Sequence, residues 1–260
     1  SLAGDAGEGA TGLSASSGRD GGEGGDGGAV STTTLGTIET EGADAYGVLA
    51  QSVGGGGGIG GAAFTNAFNA EFSLSLALGS TGGVGGRANA VTADNAGAIT
   101  TDGDRAHGLW AQSVGGGGGS AGHIINAAVN QGIPKLKPAA NSPFVTTISV
   151  GGDGGEGSNG GTVDVTNTGS VTTKGADAFG LRAQSIGGGG GEGGGILQGA
   201  FNNGPESLAL TFLLGGGGGD GGIAEAVKVV NEGEISKEDD KTVGISAKSI
   251  GGDGGEAGKL

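Results

Sequence analysis

Ala111-Gln112-Ser113-Val114 runs directly into five consecutive glycines, Gly115 to Gly119. This junction of a short strand-like segment with a glycine run recurs about every sixty to seventy residues, which is typical of a repeat protein. We predict a single repeat array over residues 1–260, cut from a longer chain, with about four units at 1–61, 62–122, 123–195 and 196–260. The other three copies are Ala50-Gln51-Ser52-Val53-Gly54, Ala183-Gln184-Ser185-Ile186-Gly187 and Ala247-Lys248-Ser249-Ile250-Gly251.

The composition limits the classes of protein that fit. Glycine accounts for 70 of the 260 residues, and the chain has no Cys or Met. Such glycine content usually indicates disorder, and aromatic residues at 3% cannot build a conventional core. The net charge of −15 argues against nucleic acid as a partner. No stretch approaches the ~20 apolar residues that cross a bilayer, so we expect no membrane insertion of this segment.

Three kinds of short strand recur in a fixed order within each unit. The first alternates apolar residues with Ser, Thr or Ala, which is the period-2 pattern of a strand. The second ends in Asn-x-Gly, where we predict a turn because Asn and Gly tolerate positive φ. The third leads towards the Ala-Gln-Ser junction. The first strands are 72–78, 145–150 and 208–214; the second are 90–93, 163–166 and 226–230; the third are 99–101 and 171–173.

This spacing indicates an all-β protein. It leaves no room for helices of ten or more residues, and residues 124–129 form at most one helical turn. Each unit has too few apolar residues for a core of its own, so neighbouring units must stack. We therefore predict a repetitive β-solenoid, with an antiparallel sandwich of hairpins as the alternative.

The glycine tracts keep a three-residue period, as in Gly21-Gly22-Glu23-Gly24-Gly25-Asp26. Three residues per turn matches the polyproline-II-type helix, which has no internal hydrogen bonds. Its N–H and C=O groups must then pair outward, and two glycine edges allow close approach of neighbouring chains. We predict polyglycine-II-type helical tracts interleaved with the strands, with the third residue towards solvent. Flexible linkers are the alternative, and they require no triplet phase.

No catalytic constellation is recognisable. His107 and His123 stand at non-equivalent positions, and the recurring serines have no histidine base beside them. Residues 21–26 and 215–220 satisfy Gly-Gly-x-Gly-x-Asp, the first half of a calcium-binding nonapeptide, but the apolar residue that should follow is Gly28 or Gly222. We expect no enzyme and no cofactor, with calcium kept as an alternative.

Positions that vary between units are candidates for contact with a partner. The residue before Ala-Gln-Ser differs in every unit, which suggests an outward position and makes Trp110 an exposed aromatic. Residues 123–144 hold a basic, Pro-rich patch, and insertions in repeat proteins often collect on the binding face. The candidate contact residues are Trp110, Lys135 and Lys137, with an inert surface loop as the alternative to the basic patch.

The recurring polar residues of the junction have structural interpretations. Gln51, Gln112 and Gln184 are predicted to form a side-chain ladder between coils, which Lys248 interrupts. The serines are predicted to pack as small hydroxyls at a tight corner of the solenoid.

The unit Ile99-Thr100-Thr101-Asp102-Gly103, followed by Ala106, Gly108-Leu109 and Ala111-Gln112-Ser113-Val114 with its glycine run, resembles the glycine-rich repeats of very large autotransporter passengers of Gram-negative bacteria. The resemblance covers nearly all of the chain through four partial copies. It implies export across the outer membrane, a β-helical stalk on the cell surface, and adhesion or fibre formation. The fourth copy departs from the pattern with a charged turn at 237–241. The glycine triplets are also similar to the polyglycine sandwiches of some phage tail adhesins.

We therefore expect an extracellular structural stalk or fibre segment of a bacterial surface adhesin. Its expected partners are further copies of itself, bundled laterally, and a host or abiotic surface. Two alternatives remain: a calcium-binding repeat module, and an ice- or surface-binding repeat protein with a flat threonine face, suggested by Thr32-Thr33-Thr34, Thr100-Thr101 and Thr172-Thr173.

Overall fold

The structure, a computed structural model, describes residues 11–68, 72–130, 144–202, 208–239 and 241–260. Within these ranges the chain forms 19 strands and no helix. Five strands make one coil, and strands at equivalent positions of successive coils pair in parallel. The all-β solenoid is thereby confirmed, and the antiparallel sandwich of hairpins is wrong.

The first coil comprises β1 (Thr11–Ser17), β2 (Val30–Thr34), β3 (Thr37–Thr40), β4 (Val48–Val53) and β5 (Ala63–Phe68). The second comprises β6 (Phe72–Leu78), β7 (Val91–Asn95), β8 (Ala98–Thr101), β9 (Leu109–Val114) and β10 (Ile124–Asn130). The third comprises β11 (Phe144–Val150), β12 (Val163–Asn167), β13 (Ser170–Thr173), β14 (Phe179–Ile186) and β15 (Ile196–Asn202). The fourth comprises β16 (Leu208–Leu214), β17 (Val227–Asn231), β18 (Glu234–Lys237) and β19 (Val243–Ile250).

The coils stack in one register throughout. Ser52 pairs with Ser113, Ser113 with Ser185, and Ser185 with Ser249, as the repeated junction predicts. The longest segment between a coil's fifth strand and the next coil's first strand separates β10 from β11, and it contains the insertion that the sequence indicates.

The fifth strand of each coil is a correction to the sequence prediction. Residues 124–129 were expected to form at most one helical turn, but they lie in β10, which pairs with β5 and β15. The helical expectation is wrong because β10 completes a sheet with its neighbours, and inter-coil hydrogen bonds outweigh the weak local preference of a short segment.

Three of the five sheets enclose an apolar core, which we call the three-sided lobe. They are β2-β7-β12-β17, β3-β8-β13-β18 and β4-β9-β14-β19. Val91, Ile99 and Leu109, one from each sheet, meet in the second coil and are almost fully buried. Val163, Val171 and Leu181 repeat this arrangement one coil later, so the core is a stack of similar layers.

An internal asparagine ladder runs along the same lobe. The amide Nδ2 of Asn95 donates to Oδ1 of Asn167 at 2.7 Å, and Nδ2 of Asn167 donates to Oδ1 of Asn231 at 2.7 Å. Asn95 and Asn167 are buried, so these bonds satisfy amides that would otherwise be costly to place there.

The predicted turn at Asn-x-Gly exists, but the reason given for it is wrong. Neither its Asn nor its Gly has positive φ; among the described residues positive φ occurs at Gly42, Asp44, Arg105 and Asp177. The asparagine is a ladder residue that also shapes the turn, because Oδ1 of Asn95 accepts the N–H of Gly97 at 3.2 Å. Gly97 is required because a Cβ there would overlap the carbonyl oxygen of Gly36 in the preceding coil.

The other two sheets, β1-β6-β11-β16 and β5-β10-β15, face each other and form what we call the paired-sheet lobe. Its interior is largely polar. The hydroxyl of Ser75 donates to Oδ1 of Asn126 at 2.9 Å, and Nδ2 of Asn126 donates to Oγ of Ser149 at 3.0 Å. All three residues are buried, and Ala63, Ala77, Ile124 and Ile196 supply a small apolar cluster beside them.

The glycine tracts connect the two lobes. The first tracts, 18–29, 79–90, 151–162 and 215–226, follow the first strand of each coil, and the second tracts, 54–62, 115–123, 187–195 and 251–260, follow the fourth. Their hydrogen bonds recur every third residue: Gly21 and Gly24 donate to Thr81 and Val84, and Gly55 and Gly58 donate to Gly25 and Gly22. The tracts are therefore not linkers with free backbone groups. Helices are not seen in them, however, so the helical part of the prediction is not established.

Candidate functional site

The predicted contact residue Trp110 lies in β9 and belongs to a row of residues on adjacent coils. It pairs in register with Leu49 of β4 and Arg182 of β14, and Arg182 pairs with Ser246 of β19. Because these positions alternate with the buried residues of the same strands, the row lies on the outer surface of the three-sided lobe.

Aromatic rings at the corner preceding these strands pack against this row. The ring centroids of Tyr46 and His107 are 5.1 Å apart and stacked, and His107 meets Phe179 edge-on at 5.0 Å. Trp110 contacts Tyr46 and His107 in edge-to-face arrangements at 5.1 and 5.3 Å. We call these four residues and Arg182 the aromatic corner.

Arg182 completes the aromatic corner with its cationic side chain. Its guanidinium carbon lies 4.4 Å from the ring centroid of Trp110 and 5.0 Å from that of Phe179. Guanidinium over an aromatic face is a favourable cation–π arrangement. Arg182 therefore links the second and third coils through their side chains as well as through the sheet.

His107 is the buried polar member of the aromatic corner. Its Nδ1 accepts the backbone N–H of Phe179 at 3.2 Å, and its Nε2 lies 2.9 Å from Nη1 of Arg182. Both ring nitrogens thus face donors. A neutral imidazole accepts at only one of them, and a protonated ring, which carries N–H at both nitrogens, accepts at neither. Burial, followed by the charge of Arg182, lowers the pKa of His107 to about 4.

Of the three predicted contact residues, the structure describes only Trp110. Trp110 was expected to be exposed, but its side chain is half-buried in the aromatic corner. Its indole N–H is buried and has no hydrogen-bond partner among the described residues. Lys135 and Lys137 lie outside the described residues. The structure therefore does not bring the three together, and their role as partner contacts stays a prediction. Arg182 occupies the predicted outward position in register with Trp110, but it was not among the predicted contact residues.

Three of the four junction serines, Ser52, Ser113 and Ser185, are buried corner residues, as predicted, whereas Ser249 of the last coil is exposed. The Ser113 hydroxyl donates to the carbonyl oxygen of Asn89 at 2.9 Å and accepts the N–H of Gly161 at 2.8 Å. One hydroxyl therefore fastens the end of β9 to the first tracts of two successive coils. Ser52 and Ser185 likewise accept N–H groups, from Asn89 and Glu225.

The predicted glutamine ladder is also confirmed. Nε2 of Gln51 donates to Oε1 of Gln112 at 2.9 Å, and Nε2 of Gln112 donates to Oε1 of Gln184 at 3.5 Å. The recurring Gln and Ser of the junction thus bind the coils to each other.

Short acidic and amide side chains at the third position of the triplets accept backbone N–H groups from the next coil. Asp26 accepts from Arg87 at 2.7 Å, and Asp153 accepts from Gly217 at 2.7 Å. The N–H of Thr81, 2.9 Å from Asp20, holds the pKa of that carboxyl below its ordinary value. These three aspartates of the first tracts therefore have a structural role.

The two ligand-binding alternatives find little support in the described geometry. No group of three or more His, Asp or Glu is arranged to hold a metal ion in the described ranges. The threonines do not form one flat outer face, because Thr101 and Thr173 are fully buried. The outer positions beside them form the mixed row Glu39, Thr100, Thr172 and Ser236.

Comparison with known proteins gives no assignment: no protein-family model, curated protein or solved structure matches the chain. In the described part of the chain, no helix is long and apolar enough to cross a membrane.

Proposed function

We propose that this chain is a non-catalytic segment of an extracellular structural stalk or fibre, belonging to a bacterial surface adhesin. The observation that carries the proposal is the continuous inter-coil bonding of the glycine tracts. Seven hydrogen bonds of 2.7–2.9 Å alternate between first and second tracts along all four coils. They join Gly22, Gly58, Gly83, Gly119, Gly155, Gly191, Gly219 and Gly255 in that order.

This bonding suits a structural role because it is open-ended. Each coil offers the same donors and acceptors to the next, so further coils can be added without a new kind of contact. The sheets, the side-chain ladders and the tracts all bond successive coils along the same axis. Each coil adds about 4.8 Å to the length of the stack.

Within this function the glycine tracts act as polyglycine-II-type helices packed side by side. Three features support the assignment: hydrogen bonds that leave the tract every third residue, exposure that repeats with the same period over 81–87, and close backbone contact on both glycine edges. In the second coil, a Cβ on Gly82 would overlap the carbonyl oxygen of Gly119, and one on Gly83 would overlap that of Gly22.

The assignment to a cell-surface adhesin rests on the resemblance of the Ala-Gln-Ser junction and its glycine runs to autotransporter passengers. Antibodies raised against the 260-residue chain should label intact cells that produce it, without permeabilisation. Labelling only after permeabilisation would reject the extracellular location.

Backbone hydrogen exchange tests the architecture. The amides of Gly116, Gly118 and Gly119 donate hydrogen bonds, whereas that of Gly117 has no partner among the described residues. Exchange should therefore be slow at the first three and fast at the fourth, and the two-slow, one-fast pattern should repeat in the second tracts of the first and third coils, at 54–58 and 187–191. Uniformly fast exchange would restore the linker interpretation.

A thermal melt with and without chelator tests the calcium alternative in the same sample. A stalk bonded through its backbone should show one cooperative transition at the same temperature in both conditions. A transition that disappears with EDTA would favour the calcium-binding repeat module.

A further inference from the structure

We propose that the outer face of the sheet β1-β6-β11-β16 is a lateral interface that packs against a second copy of this chain. This inference rests on the proposed function as a stalk or fibre, and it identifies the surface through which stalks bundle. We call this surface the lateral face.

The lateral face is apolar because the strands of this sheet bury their small polar side chains and direct their large apolar side chains outward, the reverse of the usual arrangement. Ser73, Ser75 and Ala77 of β6 point into the lobe and are buried, while the large side chains between them point outward. The same inversion occurs in β11, where Val145, Thr147 and Ser149 are the buried residues. Outward positions carry Leu13 in β1; Phe72, Leu74, Leu76 and Leu78 in β6; Phe144, Ile148 and Val150 in β11; and Leu208, Leu210, Phe212 and Leu214 in β16.

These side chains form one continuous surface across the coils. The rings of Phe72 and Phe144 stack at 5.6 Å, and Phe144 is in register with Leu208 of β16. In β6, which has a paired strand on either side, Phe72 and Leu78 remain 40% and 41% exposed. The largest exposed apolar patch on a protein surface is often an interaction site.

The charge distribution favours contact with another protein surface of the same kind. No outward position of the four strands carries a charged residue, although the chain has a net charge of −15. Carboxylates begin just beyond the strands, at Asp20 and Asp153 in the first tracts. An uncharged apolar centre with a charged edge is the usual anatomy of a protein–protein interface.

A second copy of the chain fits this surface because it has the same axial spacing. The strands repeat every 4.8 Å or so, and an identical sheet packed face to face at ~10 Å offers rows of side chains with the same period. Contacts made by one coil can then be repeated by every other coil along the stalk. The lateral face of one copy therefore matches that of another over any length.

The available area predicts how strongly four coils associate. Four strands of seven residues cover roughly 440 Å² in projection, about half of the ~800 Å² that each partner buries in a stable complex. The 260-residue chain should therefore form a weak dimer, with a dissociation constant in the high micromolar range. Each further coil adds roughly 110 Å², so longer arrays bundle more tightly.

Sedimentation velocity over a concentration series tests the interface. Leu76 in β6 is replaced by Glu, which places a carboxylate at the centre of the lateral face. Ile125→Glu is the matched control, because Ile125 is an exposed apolar residue of the same coil on the outer face of the opposite sheet. Leu76→Glu should lower the association constant at least about tenfold, and Ile125→Glu should change it less than about twofold.

Several outcomes would overturn the lateral interface: a parent chain that stays monomeric to about 1 mM, equal effects of the two variants, or a monomer that instead binds phosphatidylcholine vesicles through this face. Hydrogen exchange on the same samples separates the two proposals. A monomer that keeps the triplet exchange pattern rejects the interface and leaves the stalk architecture standing, whereas loss of the pattern rejects the architecture itself.

Discussion

The amide N–H of Gly119 donates a hydrogen bond of 2.8 Å to the carbonyl oxygen of Gly83, which joins the second glycine tract of the second coil to the first. The carbonyl oxygen of Gly119 in turn accepts the N–H of Gly155 in the third coil at 2.8 Å. Such close approach leaves no room for a side chain at Gly119. The tracts are therefore close-packed backbone, and individual glycines differ sharply in how they should tolerate substitution.

Gly119→Ala and Gly117→Ala should have opposite outcomes. A Cβ on Gly119 would overlap the carbonyl oxygen of Gly58, whereas one on Gly117 would lie 3.5 Å from that of Gly189, an ordinary contact. We expect Gly119→Ala to lower the free energy of unfolding by about 1–3 kcal/mol through overpacking. Gly117→Ala should be neutral or stabilising by up to ~1 kcal/mol, because Ala restricts the unfolded chain. Thermal or urea unfolding measures both, and equal losses would contradict close packing of the tracts.

Ser113→Ala should be more damaging than the same change at Ser249. Ser113 is buried, and its removal leaves the N–H of Gly161 and the carbonyl oxygen of Asn89 without their partner. Unsatisfied buried groups cost about 1–3 kcal/mol. The exposed Ser249 donates only to the carbonyl oxygen of Glu225, so its loss should cost less than ~1 kcal/mol. If the two variants unfold at the same denaturant concentration, the hydroxyl does not fasten the coils as the geometry indicates.

Asn167→Ala tests the internal asparagine ladder. Asn167 bonds both neighbours in the ladder, so its replacement leaves Oδ1 of Asn231 unpaired and leaves Nδ2 of Asn95 with only its 3.3 Å bond to the carbonyl oxygen of Gly97. We expect a loss of about 2–3 kcal/mol, compared with less than ~1 kcal/mol for Asn231→Ala at the exposed end. Urea unfolding of both variants provides the comparison. If Asn231→Ala lowers the free energy of unfolding as much as Asn167→Ala does, burial is not the reason that the ladder stabilises the protein.

The repeat made much of this fold predictable. The Ala-Gln-Ser junction recurs at positions that pair exactly in register, so one alignment of the sequence with itself places β4, β9, β14 and β19 side by side. The bounds of β6 and β16 agree with the alternation in their sequences. Serine and glutamine could be assigned to structural roles because a catalytic role would not require four copies.

The fifth strand and the orientation of the paired-sheet lobe were not predictable in the same way. Ile124 points inward, Ile125 outward and Asn126 inward, so β10 shows no clean separation of apolar and polar residues. Alternation also reveals only which residues share a face, not which face is buried. The Ser and Thr side chains lie in the interior because hydrogen bonds such as that of Ser75 with Asn126 satisfy them there. Those bonds join two strands that are distant in sequence, so the local alternation does not reveal them.

Acid should destabilise the protein through His107. The pKa of His107 is about 4 in the folded protein and near 6.5 when unfolded, because burial and the charge of Arg182 oppose protonation of the native ring. The unfolded chain therefore binds more protons between these values, so this group's contribution is fully present above pH 6.5 and is lost as pH falls to about 4. The loss should be on the order of 1–3 kcal/mol, because one pKa unit corresponds to about 1.4 kcal/mol and solvent screening weakens the effect of the Arg182 charge. The variant His107→Phe places a ring like that of Phe179 at this corner. It should reduce the fall in melting temperature between pH 6.5 and about 4. A slope unchanged by the substitution would mean that His107 does not remain neutral in the folded chain.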